Sequence, residues 1–435
     1  MKINISNNQN YSKTTVSHKA YMHKMQMYTH SPLKNVPGNF CACCKQEMIP
    51  FPEINNLWAK ITLPISKIFP NKNFDKMREL HPDLYKVINY FAELYPEESF
   101  DSIMLDKANH DILLDSVTTI VLEEHDNEFP TSVAYRKAIK RKTMDIFNLF
   151  ESNLKNSAEV IKELNPFKKY MNNTRKEVFE EFEELSSKYP DKTLRELVLI
   201  PEIVEKHITG AYNEAVEFAK ERDDHWQKAD SFILQEKPEL KESLKKLHLQ
   251  VSSVYSDDDD TKRISYLIKK LYKDFLETNN LEHLQKDVLN EVNQMPVREI
   301  TKNLFLSTAR NGFSDGAIVR YIIRPSMESE KRLIPPSEGG SNLMENKLLM
   351  CRRCCDELHT LPFKEFYLYH PEVVQNINNQ IQFFENNIYN EVIDFSYRHY
   401  PIEVAKTLSK YSDGIIELDL ADYIAKITEM ENKVY

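Results

Sequence analysis

Apolar residues recur at intervals of three and four through much of the chain, the mark of helices that bury one face. Met77, Leu80, Leu84, Val87, Ile88 and Phe91 form one such stripe, and Val133, Ala138, Ile139, Met144, Phe147 and Phe150 another. The pattern predicts helix almost throughout residues 72–306, and again over roughly 363–428. Thr174-Arg-Lys-Glu177 and Thr193-Leu-Arg-Glu196 have capping-box spacing, in which the Thr oxygen and the Glu carboxylate each satisfy a backbone N–H left open at a helix start. Prolines at 166, 190, 201, 238 and 296 punctuate the bundle, and Ser256-Asp-Asp-Asp-Asp260 reads as a solvated loop or a helix start. Strand patterning is confined to one region. Ala317-Ile-Val-Arg-Tyr-Ile-Ile-Arg324 predicts a strand, and Lys331-Arg-Leu-Ile334 a second, short one after the break at Pro325. Residues 1–38 hold no acidic residue and no apolar period, and read as a flexible leader.

Composition supports the helical reading. Seven glycines in 435 residues argue against an all-β barrel or a glycine-loop nucleotide fold, and neither G-x-x-x-x-G-K-[ST] nor G-x-G-x-x-G occurs. No run of 18 apolar residues exists, which excludes a spanning helix. The polar N-terminus lacks the apolar stretch of a signal peptide, so the expected compartment is the cytoplasm, with no membrane partner. A formal charge of −10 restricts any nucleic-acid contact to a local basic face. The acidity lies in the helical bulk, because residues 1–54 carry +4 and residues 309–366 carry +1.

Those two less acidic segments hold all six cysteines. Cys41, Cys43 and Cys44 lie in Phe40-Cys-Ala-Cys-Cys44, and Cys351, Cys354 and Cys355 in Met350-Cys-Arg-Arg-Cys-Cys355. Each cluster contains a C-x-x-C, the spacing that lets two thiolates on a tight turn reach one tetrahedral Zn²⁺. Neither pair closes a site alone. The expectation is a structural zinc shared by Cys41, Cys44, Cys351 and Cys354, with the chain folding back across more than 300 residues; Cys43 and Cys355 are surplus.

The second cluster sits in a longer pattern. Arg332-Leu-Ile-Pro-Pro-Ser-Glu-Gly-Gly-Ser-Asn342 precedes Asn346-Lys-Leu-Leu-Met-Cys351-Arg-Arg-Cys354 and Leu361-Pro-Phe-Lys-Glu-Phe366. Together with the upstream knuckle, this order and spacing resemble the core of zinc-stapled HNH endonucleases. The resemblance covers about 35 residues of the second segment and about ten at the first knuckle. It implies a mainly α protein in which a large helical domain is inserted into a small zinc-stapled ββα module, followed by C-terminal helices. The boundaries expected are a leader at 1–38, a first knuckle at 39–54, the inserted domain at 55–308, the HNH-like core at 309–366 and a helical segment at 367–435.

The same resemblance implies nuclease chemistry, in which a histidine base activates water and a divalent cation such as Mg²⁺ stabilises the leaving oxygen. Alignment on Pro335 places Arg332 at the base position, and a guanidinium does not take up that proton at neutral pH. Asn346 matches the family's middle Asn. Cys355 stands where the family has His or Asn, and His359 lies four residues further on. The expectation is therefore a fold retained without hydrolysis, acting by binding nucleic acid through Arg332, Arg352, Arg353 and Lys347, or by binding a protein partner. The alternatives are an active nuclease using Asn346 with His359, and a helical scaffold with a purely structural zinc.

Other polar clusters read as structural. Glu123, Glu124, His125, Asp126 and Glu128, like Glu221, Asp223, Asp224 and His225, lack the E-x-x-H repeats of a bundle metal site and are expected at helix ends. Arg136, Lys137, Lys140, Arg141 and Lys142 are expected to form a solvated helix face.

Overall fold

The computed structural model describes residues 3–4, 30–126, 128–257, 260–297, 303–358 and 361–434. The chain is mainly helical, and none of its described helices is long and apolar enough to cross a membrane. It divides into two compact units. One comprises Met1–Val198, Asn311–Cys355 and Val374–Tyr435; the other comprises Leu199–Arg310 and Asp356–Val373. The stretch expected to form one inserted domain, 55–308, is thus split at residue 198, and its first part belongs with both cysteine clusters.

In the first unit, the helices before residue 198 include α1 (Phe51–Ile61), α2 (Phe100–Leu105), α3 (Lys107–Glu124) and α4 (Ser132–Glu151). Asp106 caps α3 by accepting from the N–H groups of Ala108 and Asn109, and Thr131 caps α4 by accepting from Ala134. Both stripes read from the sequence contribute to one core here. Phe91, Phe100 and Phe150 are fully buried, with Phe100 and Phe150 stacked at 4.1 Å. In the second unit, α5 (Pro201–Glu236), α6 (Lys241–Asp257), α7 (Thr261–Thr278) and α8 (Gln285–Gln294) enclose a separate core that includes Ile233, Val251, Tyr272 and Val288.

Several local expectations change here. The segment read as a strand, 317–324, is helix α9 (Asp315–Ile323). Ser314 caps it through Ala317 N–H, and Ile318, Val319, Ile322 and Ile323 are all buried. Burial on one broad helical face, together with a cap, outweighs the β preference of a branched run. The capping box Thr193–Glu196 forms in both directions, at 2.8 and 3.3 Å. Thr174 is already inside its helix, because Asn172 is the cap that accepts from Arg175 N–H. His125 ends α3 as expected, whereas His225 lies well inside α5 and faces Glu291 at 3.0 Å. Asp260 is a helix start: its Oδ1 accepts from Lys262 and Arg263 N–H at the head of α7.

The two strands of the cysteine region are β1 (Glu328–Arg332) and β2 (Lys347–Cys351), an antiparallel pair that sets Glu328 opposite Cys351 and Arg332 opposite Lys347. The first strand starts three residues earlier than the sequence suggests, and its partner is the stretch leading into the second C-x-x-C. Helix α10 (Arg352–Leu358) follows directly. Further on, α11 (Val373–Tyr389) and α12 (Tyr400–Tyr411) belong to the C-terminal helical segment. Part of the leader also has a place. Residues 5–29 lie outside the described residues, but Leu33 and Val36 are buried, Ser31 N–H donates to Glu330 at 2.6 Å, and Asn35 N–H donates to Glu328. Residues 30–38 therefore pack on the hairpin rather than belonging to a flexible leader.

Candidate metal centre

The first knuckle is built by backbone hydrogen bonds. Cys41 N–H donates to Gln46 O at 2.8 Å, Lys45 N–H donates back to Cys41 O at 3.0 Å, and Lys45 takes the left-handed conformation at φ 61° to close the turn. The turn is tied to β2 by Ala42 N–H to Leu349 O at 3.2 Å, and the chain after it joins β1 through Ile49 N–H to Ser326 O and Glu328 N–H to Ile49 O. Residues more than 300 apart thereby share one small hydrogen-bonded layer.

A buried glutamine on α11 closes that layer. Gln380 Nε2 donates to Phe40 O at 2.6 Å and to Leu349 O at 2.9 Å, one carbonyl from each cysteine segment. Asn376, one turn earlier, donates to Cys43 O. Neither residue stands out in the sequence. Their only signal is a pair of amides four apart on a helix whose neighbours Ile377, Ile381 and Phe384 are core residues.

The result is a group of four sulfurs. Those of Cys41, Cys44, Cys351 and Cys354 all lie within 4.8 Å of one another, and Cys44 and Cys351 are 3.8 Å apart. All are free thiols rather than disulfides. A tetrahedral ion with metal–sulfur bonds of about 2.3 Å sets its sulfurs roughly 3.8 Å from one another, so the donor set and spacing fit a closed four-thiolate metal site. Cys43 N–H also donates to Cys41 Sγ at 3.3 Å, which orients that sulfur. Among themselves the thiols divide their protons unevenly. Cys44 is driven far below the usual thiol range by hydrogen bonds from Cys351, then Cys354 and Cys41, whereas Cys354 is driven far above it by Cys351 and the other sulfurs around it. Such a cluster favours a cation that lets every sulfur be a thiolate.

Neither surplus cysteine belongs to the group of four, although the Cys43 side chain hydrogen-bonds Cys354. Cys355 is buried, its Sγ lies 3.9 Å from Ser329 O, and burial pushes its thiol up to about 12, so it stays protonated at neutral pH. Cys43 is also buried, with its backbone fixed on both sides by the contacts to Cys41 and Asn376.

The loop between the strands is organised by Asn346, which is buried. Its Oδ1 accepts from Ile334 N–H at 2.8 Å, and its Nδ2 donates to Ile334 O at 3.0 Å and Ser341 O at 2.8 Å. This side chain acts as a short extra strand. Gly340 is required by the same contact, because a Cβ there would stand 2.0 Å from Ile334 O, and Gly339 supplies the positive φ of 80° that the turn needs.

The other residues singled out by sequence are placed unevenly. Arg332, at the end of β1, donates from Nη2 to Asn342 Oδ1 at 2.7 Å. Arg352 and Arg353 begin α10, half-buried. Lys347 is buried with its ammonium 3.9 Å from Glu330, and burial lowers its pKa, so it does not belong to an exposed phosphate-binding face. His359 lies outside the described residues.

The second unit holds another compact polar group. Ligand atoms of Asp260, Glu357 and His370 lie within 4.8 Å of one another. His370 is held between Asp260 at 2.9 Å and Glu372 at 3.2 Å, while Asp260 caps α7, so hydrogen bonding already accounts for Asp260 and His370. Burial opposes a charge on His370, but Asp260 outweighs it and raises the imidazole pKa.

Set against protein-family models, curated proteins and solved structures, the chain gives no match in any of the three comparisons.

Proposed function

We propose that this protein is a zinc-stapled, HNH-like module that binds nucleic acid without hydrolysing it, with Arg332, Arg352 and Arg353 as its phosphate contacts. The observation that carries the reading is the coincidence of four convergent sulfurs with a β-hairpin and helix whose loop is pinned by Asn346. In an active relative the strand end would carry a histidine base. Here that position holds Arg332, whose guanidinium is oriented by Asn342. A permanent cation suits phosphate binding and does not suit general-base catalysis.

Zinc is the metal the donor set favours, since four thiolates in tetrahedral spacing select it over Mg²⁺ or Ca²⁺. Its role here is structural, because four protein ligands leave no open position for water.

Binding to a short duplex should weaken with salt at a log–log slope of roughly −3 if three phosphates are contacted. Arg332→Gln should reduce that slope by about one. A plasmid-nicking assay with Mg²⁺, Mn²⁺ or Ni²⁺ should give no product. Nicking that disappears in His359→Ala would instead support a nuclease using a histidine outside the motif.

A second reading, a helical scaffold that meets a protein partner, is favoured by the burial of Lys347 and the partial burial of the arginines. Duplex binding with no salt dependence, or no binding at all, would favour it.

A further inference from the structure

A cavity of about 480 Å³ opens in the first unit. Its size is that of a site for a small organic molecule. Ile54 and Trp58 of α1, Met104 of α2, Leu114 of α3 and Phe147 of α4 give it an apolar wall. Charged groups line it as well. Arg320 of α9 pairs with Glu151 and lies 5.1 Å over the Trp58 ring, and Asp101 accepts from Thr62 Oγ1 at 3.2 Å.

The mouth differs. Arg136 and Lys140 stand one turn apart on α4, are exposed and line the opening. Among the described residues, Arg136 Nε donates only to Ser132 O, within its own helix, at 3.3 Å. Among the described residues neither cation has a carboxylate within ion-pair distance, although Lys142 on the same helix is paired with Glu124 at 2.5 Å. In a chain with a formal charge of −10, two neighbouring cations without carboxylates at the edge of an apolar hollow call for an anion.

We propose that this cavity binds an amphipathic anion, with an apolar body against Trp58 and Phe147 and a carboxylate or phosphate head held by Arg136 and Lys140. Apolar burial supplies the affinity and the two cations choose the head group. The solvated helix face expected from sequence is then, at these two positions, one edge of a binding site.

Calorimetric titration of the full chain with dodecanoate, dodecyl phosphate, dodecylammonium and dodecanol, each below its micelle concentration, tests the proposal. The two anions should bind at least roughly tenfold tighter than dodecylammonium, and acetate should not bind. Arg136→Gln/Lys140→Gln changes only exposed side chains and should weaken both anions roughly fivefold while leaving dodecanol unchanged. Met104→Trp, which fills the hollow, should abolish binding of all four chains. If that variant does not fold, the surface double variant decides. Equal affinity for all head groups, or anion binding that the double variant leaves intact, overturns the proposal. Separation of dodecanoate from dodecyl phosphate by affinity identifies which anion the mouth prefers. None of these outcomes depends on zinc or on nucleic acid.

Discussion

Lys45 pays a conformational cost so that the first knuckle can close, since φ 61° is a left-handed conformation that a residue with a Cβ adopts reluctantly. Its side chain is exposed. Lys45→Gly should therefore preserve metal binding and raise stability by about 0.5–1 kcal/mol, read as a higher unfolding midpoint. A clear loss would mean the lysine side chain has a role of its own. Asp101 is a second residue whose cost has a measurable sign. Burial raises its pKa to about 6, with Thr62 and Arg320 pulling it only partly back. The folded chain holds this proton where the unfolded chain has released it, so the contribution of Asp101 to stability falls as pH rises from about 4 to about 6. Asp101→Asn should then stabilise the protein by up to about 3 kcal/mol at pH 8 and by little at pH 4, as followed by urea unfolding at both values. An equal effect at both pH values would contradict the assignment.

At the level of elements, the contacts that matter are those that join distant strands and turns. Gln380 is the clearest case, because one amide satisfies carbonyls on both cysteine segments. Gln380→Leu leaves those carbonyls buried without that donor, and should cost about 1–3 kcal/mol and speed metal loss to a chelator. Unchanged release kinetics would show that α11 does not support the site. The cysteine spacing was legible because C-x-x-C is a local signal, and two of them with no cysteine outside the two clusters left few arrangements. Gln380 was not legible, because an amide on a helix reveals a long-range bond only once the partner strand is in place. The failure at α9 has the same origin. Ile318, Val319, Ile322 and Ile323 suit a strand or a helix equally well by type, and the decision came from the Ser314 cap and from Gly316, where a Cβ would stand 2.1 Å from Glu151 O. The Ser-Glu-Gly-Gly loop was readable as a motif, but the reason for Gly340 lies in its approach to Ile334 and Asn346.

For the whole molecule, periodicity announced a helical protein, yet not where it divides. The helical pattern runs across residue 198 without a break in character, so the two cores could be told apart only by which residues touch. That division makes a specific prediction about chelation. The first unit depends on residues 39–49 staying bound to β1 and β2, whereas α5–α8 enclose a core with no part in the cysteine cluster. A strong chelator should therefore expose 39–49 and 328–351 to protease and make the four thiols reactive, while 201–294 stays protected and most helical signal persists. Simultaneous loss of protection across both units would contradict it.

Four sulfurs from two segments more than 300 residues apart are placed to hold one metal. X-ray absorption at the zinc edge of the purified, metal-loaded protein tests it most directly. One zinc per chain with four sulfur neighbours at about 2.3 Å is expected, falling below one equivalent in Cys354→Ser and unchanged in Cys355→Ser. A first shell containing nitrogen or oxygen, or a Cys354→Ser variant that retains the full shell, would contradict it.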